Sequence, residues 1–137
     1  MANSTPIYSK IADVQWANSA TTANTTADLT SGTSYLVFSA DSTNGGYLQK
    51  LRFRPKGTNV ATVARVWLNN GSTTGTAANN VLLDELTLAA STASATSALS
   101  NYELPINFPL PPSYRVYVTL GTAVAAGYDI TAVGGKY

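Results

Sequence analysis

Apolar and polar residues alternate along short runs of this chain, and Gly, Asn and Pro separate the runs. In "GYLQKLRFR", 46–54, Leu51 and Phe53 interleave with Lys50, Arg52 and Arg54. A period of two sends successive side chains to opposite faces of a strand. The run therefore predicts a strand with a core face and a basic face. The same pattern predicts about eight strands: 7–16, 33–40, 46–54, 59–69, 80–89, 101–108, 113–120 and 127–133. Pro55 ends the third by withholding a backbone donor, and Pro105 marks the sixth as an edge or a bulge. The Ser- and Thr-rich stretch 91–100 reads as a loop, because these side chains compete for backbone hydrogen bonds. Short strands with no convincing helix between them predict an all-β, single-domain β-sandwich, jelly-roll-like, with about eight strands.

Two connections, 17–32 and 69–80, are polar and long compared with the usual ~4–6 residues. Loops of this kind are either mobile or ordered by a neighbour. The Asn-Asn-Gly at 69–71 reads as a turn, since these residues tolerate positive φ. The first loop divides the chain into 1–32, an N-terminal strand or arm with a polar linker, and a sandwich domain over 33–137. Two readings of 7–16, with Ile7, Tyr8 and Trp16, stay open. One is an ordinary first strand. The other is an arm that adds to the sheet edge of another subunit.

Composition removes most catalytic chemistry. The 137 residues contain no His and no Cys, so the usual neutral-pH base, the thiolate nucleophile and the commonest metal ligands are missing. Asp84 and Glu85 are adjacent, and on one strand they point to opposite faces, which does not make a glycosidase-type pair. No phosphate-binding or nucleophile-elbow motif is present. The expectation is a non-enzyme without cofactor or metal. The start of the chain lacks a basic region followed by an apolar one. No apolar run reaches the ~20 residues that cross a bilayer. Synthesis in a cytoplasm and no membrane partner are expected.

The stretch "KLRFRPK", 50–56, holds four of the eight Lys and Arg residues. A nucleic-acid site would want more bases and exposed aromatics beside it. Arg65 with Trp67, and Arg115 with Tyr117, extend the patch if their strands are neighbours. Net charge is only +1, so a nucleic-acid partner is disfavoured. A solvated strand face and a protein contact made by Lys50, Arg52 and Arg54 remain. Trp16 and Trp67 are candidates for partner or glycan contact, against the plainer reading of packed aromatics.

The stretches "ATVARVWLNNGSTTGTAANNVLLDELTL", 61–88, and "PLPPSYRVYVTLGTAVAAGYDITAVGGKY", 109–137, resemble small virion structural proteins of tailed bacteriophages, of the head decoration or auxiliary capsid type. The resemblance implies a sandwich on the capsid surface of the virion, stabilising the major capsid protein lattice, and a homotrimer placed at the symmetry axes of that lattice. It carries no catalytic residues. A tail, neck or fibre component binding a host glycan or protein is the alternative.

Overall fold

The computed structural model describes residues 9–26 and 28–137. It contains eight strands: β1 (Ile11–Ala20), β2 (Tyr35–Ser39), β3 (Gly46–Pro55), β4 (Thr62–Asn69), β5 (Asn80–Leu88), β6 (Tyr102–Leu110), β7 (Arg115–Leu120) and β8 (Tyr128–Lys136). They form two four-stranded antiparallel sheets, sheet A in the order β1-β8-β3-β6 and sheet B in the order β2-β7-β4-β5. The pairs β1–β8, β2–β7, β3–β6 and β4–β5 are successive segments of one long antiparallel ribbon, the chain folded back on itself between β4 and β5. Successive segments of that ribbon alternate between sheets. This is the strand order of a jelly roll, as the alternation of short strands predicts.

The inner faces supply one core. Leu48, Leu51, Phe53, Ile130 and Ala132 of sheet A meet Val37, Phe38, Val66, Val116 and Val118 of sheet B, all essentially buried. Leu51 and Phe53, Val116 and Val118, and Ile130 and Ala132 alternate along their strands, whereas register shifts bring the adjacent Val37 and Phe38 inward together and set Leu48 three residues before Leu51. Pro55 is the last residue of β3. Pro105 lies on β6, an edge strand, where the register with β3 slips between Leu48 and Lys50. Asn107 sits in that irregularity with φ 54°. Both consequences expected of Pro105 therefore occur together.

The first strand differs from its predicted position. It runs through Ala20 rather than stopping at Trp16, because β8 pairs with it along its length and the Ser19 N–H donates to the Asp129 carboxylate at 3.0 Å. Residues 11–20 are thus an edge strand of their own chain's sandwich. Ile7 and Tyr8 lie outside the described residues.

The long loops are ordered by amide side chains. In the 70–79 connection, Asn69 Nδ2 donates to Asn80 Oδ1, Asn79 Nδ2 to the Thr73 carbonyl, and Asn80 Nδ2 to the Thr74 carbonyl. Gly71 takes φ 89° in the expected turn, where a side chain would press on the Ser113 carbonyl. In the 21–34 connection, Asn24 is buried. It donates to the Ser31 and Thr33 carbonyls and accepts from the Thr26 N–H. A buried Asn59 ties a third region together: it donates to the Gly127 carbonyl and accepts from the Ala126 and Gly127 N–H groups.

Candidate interaction face

The outward residues of sheet A line up in rows across its strands. One row runs Val14, Val133, Lys50, Pro105, and the next runs Trp16, Thr131, Arg52, Glu103. The predicted alternation in β3 holds: Leu51 and Phe53 are fully buried while Arg52 and Arg54 are exposed. Trp16 is 68% exposed and Val14 51%, because β1 is an edge strand whose outward face nothing in the described chain covers.

Most cations of the basic stripe are engaged. Lys50 Nζ donates to both Glu103 oxygens at 3.2 Å. Arg54 donates to the Leu99 carbonyl and to Asn101, which pins the 91–100 loop against β3. Lys56 donates to Asn18 and Ser19 and pairs with Asp129 at 3.6 Å. These exposed pairs contribute little stability, of the order of 0–1 kcal/mol each. Arg52 differs. Its guanidinium has no hydrogen bond or ion pair among the described residues. It stands in the same row as Trp16, with Thr131 between them.

Sheet B is finished differently. Arg65 and Trp67 lie on β4, and Arg115 and Tyr117 on β7, which are neighbours of each other but not of β3. They therefore occupy the opposite side of the molecule and do not extend the basic stripe. Arg65 Nε pairs with Glu85 at 2.9 Å. Trp67 is only 3% exposed, and its indole N–H donates to Thr119 Oγ1 at 3.0 Å. The 21–34 loop covers it. The Asn24 N–H donates to the Leu120 carbonyl at one side, and Asn80 Nδ2 reaches the Asp28 carbonyl at the other, so the loop crosses β4 between them. Thr25 and Thr26 line the crevice above Trp67. The phenol of Tyr35 anchors the start of this loop by accepting the Thr21 and Thr22 N–H groups. Burial pushes its pKa up, but those hydrogen bonds outweigh it and hold the group below its ordinary range.

At the flank where β1 lies over β2, Gln15 joins the sheets. Its amide donates to the Ser39 carbonyl at 2.9 Å and accepts the Ser39 N–H at 2.8 Å. One side chain thus satisfies the outward backbone groups of a β2 residue. A single Gln inside an alternating strand gives no signal of this role in sequence.

A groove of about 380 Å³ opens near the Gly134 end of sheet A, lined by Ser9, Tyr47, Gln49, Asn107 and Gly134. The Tyr47 hydroxyl donates to Asn107 Oδ1 at 3.2 Å. A side chain at Gly134 would collide with the Tyr47 carbonyl, so glycine is required where these strands meet. Among the described residues no cluster of three or more metal-ligating side chains occurs. Asp84 accepts the Glu85 N–H, and Glu85 is held by Arg65. Comparison with protein-family models, curated proteins and solved structures returns no match.

Proposed function

We propose that the chain is a non-enzymatic structural subunit of a tailed-bacteriophage virion, a decoration or auxiliary protein that sits on the head and stabilises the major capsid protein lattice. The observation that carries this reading is the asymmetry of the sandwich. One outer face is covered at Trp67 by the chain's own loop. The other leaves Trp16, Val14 and the unpaired Arg52 open to a partner. An aromatic anchor beside an Arg fork suits a protein surface offering an apolar pocket and a carboxylate. Repetition on a lattice multiplies such modest contacts. The resemblance of 61–88 and 109–137 to virion proteins points the same way.

The test is the copy number and radial position of this chain in purified particles, measured alongside capsids decorated in vitro. Trp16→Ala and Arg52→Glu should lower occupancy while leaving the melting temperature unchanged. Absence from particles, or full occupancy with both substitutions combined, would overturn the reading.

A second reading, a tail, neck or fibre component binding a host glycan, is favoured by the groove beside Tyr47. An aromatic ring flanked by the Gln49 and Asn107 amides matches the C–H face and hydroxyls of a sugar. Trp67 cannot serve in this role from beneath its loop. Glycan-array binding abolished by Gln49→Ala, with low copy number per particle, would select this reading over the first.

A further inference from the structure

Asparagine carries much of the loop bonding in this chain. Among the described residues, every asparagine but one uses its side-chain amide in a hydrogen bond, and the exception is Asn44. Asn44 is exposed in the turn between β2 and β3, where its backbone N–H donates to Asp41 Oδ1 at 2.8 Å. Gly45 follows it. The chain has one other Asn-Gly pair, Asn70-Gly71. There the side chain is held at both ends. Asn70 Nδ2 donates to Asn79 Oδ1 at 3.2 Å, and Asn70 Oδ1 accepts the Ser72 N–H at 3.1 Å.

We infer that Asn44 is a site of spontaneous covalent modification, losing its amide by cyclisation onto Gly45, while Asn70 is protected. The Gly45 nitrogen attacks Asn44 Cγ, and the new C–N bond closes a five-membered imide. The side-chain nitrogen leaves as ammonia, taking the proton that the Gly45 nitrogen gives up. Water then opens the imide at one carbonyl or the other, leaving aspartate or isoaspartate. Glycine has no Cβ to obstruct the closing ring. Both glycine nitrogens start out hydrogen-bonded, Gly45 to the Asp41 carbonyl at 3.0 Å and Gly71 to Asn69 Oδ1 at 2.9 Å. That cost is shared, so the side chain decides. Asn70 must first give up two hydrogen bonds that Asn44 does not have, which slows it by about tenfold or more. The position magnifies the consequence. Gly45 is buried with φ 77°, and even a Cβ there would collide with the Leu110 carbonyl. Its carbonyl accepts the Tyr137 N–H, and the Asp41 carbonyl accepts the Ser113 N–H. Isoaspartate inserts an extra backbone carbon just ahead of Gly45, so the turn loosens from Ser113 and Tyr137. The inference stands on this turn alone and is independent of any role in a virion.

The test ages the full chain in warm buffer just above neutral pH and maps its peptides by mass spectrometry, reading the mass shift from amide to acid at each asparagine. Isoaspartate is scored by its enzymatic methylation. In urea, where no fold distinguishes them, the two Asn-Gly pairs should convert alike. In the native chain Asn44 should convert faster than Asn70 by about tenfold or more. Asn79→Ala removes an acceptor from the Asn70 amide and should speed conversion at Asn70, with a melting curve to verify that the variant folds. The native-against-urea comparison of the wild type does not depend on that variant. Asn44→Gln, whose longer side chain closes a six-membered ring far more slowly, should keep its melting temperature on ageing. The wild-type melting temperature should fall as Asn44 is converted. An Asn44 still intact in the native chain when the urea sample is fully converted overturns the inference. So does an Asn70 that keeps pace with Asn44, or conversion at Asn44 with no fall in melting temperature.

Discussion

At the scale of single residues, a few amides and one phenol hold more of the structure than their number suggests. Gln15→Ala strips the Ser39 N–H and carbonyl of their partners at a part-buried site. It should cost about 1–2 kcal/mol in a denaturant titration. Gln15→Glu should not rescue it, since a carboxylate accepts the N–H but offers no donor to the carbonyl. Tyr128 has a buried hydroxyl with no hydrogen-bond partner among the described residues. Burial, and then the neighbouring Tyr102, push its pKa above the ordinary phenol range. Tyr128→Phe should therefore be neutral or stabilising by about 1 kcal/mol, and a loss of that size would reveal a bonded hydroxyl. Because the folded pKa is raised, the stability tied to this group is complete below the ordinary phenol value. It drains away as pH rises towards the folded one, and the Phe variant should resist that alkaline loss. Asp41 has the opposite sign. The Asn44 and Thr43 N–H groups, with Lys136 nearby, hold its carboxyl below the usual range. Its contribution is complete above the ordinary carboxylate value and disappears as pH falls through the folded one. Asp41→Asn should flatten the acid limb of the stability curve, read by melting temperature against pH.

At the scale of strands and loops, the legibility of the sequence depended on whether the deciding partner was local. Alternation alone placed β3, with Phe53 inward and Arg52 outward, and it placed β5, β7 and β8 within a few residues. Phe53→Ala should cost about 3–5 kcal/mol, whereas Arg52→Ala at the next position should change stability by less than about 0.5 kcal/mol. Equal losses in thermal unfolding would show that β3 is not oriented as described. Where the deciding partner is distant, the sequence was silent. The end of β1 depends on pairing with β8, more than a hundred positions away. Polar residues at 18 and 19 looked like linker because their distant partners, Lys56 for Asn18 and Asp129 for Ser19, are invisible to a local window. Trp67 is packed, as the plainer reading had it, but nothing near it announces that the 21–34 loop is what crosses over it. The same loop read as either mobile or ordered by a neighbour, whereas Asn24 folds it back on itself.

For the whole molecule, the sandwich was legible as a class, from strand count and turn chemistry, while the assignment of strands to sheets was not. That assignment separates the basic stripe from Arg65 and Arg115. It also brings Trp16 into register with Arg52, which are 36 positions apart in the chain. The candidate face is thus made of residues that sequence reading could nominate singly but could not assemble. Most pairings join residues far apart in sequence, so folding should be slow for this size, on a scale of milliseconds to seconds. Stopped-flow refolding followed by Trp67 burial would measure it, and microsecond folding would contradict the topology.

The position of β8 has a bearing on biosynthesis. It lies between β1 and β3, so one sheet has no middle until residues 128–136 have emerged from the ribosome. Until then β1 has no neighbour in its sheet to hydrogen-bond with. A nascent chain should accordingly gain protease resistance in one late step rather than strand by strand.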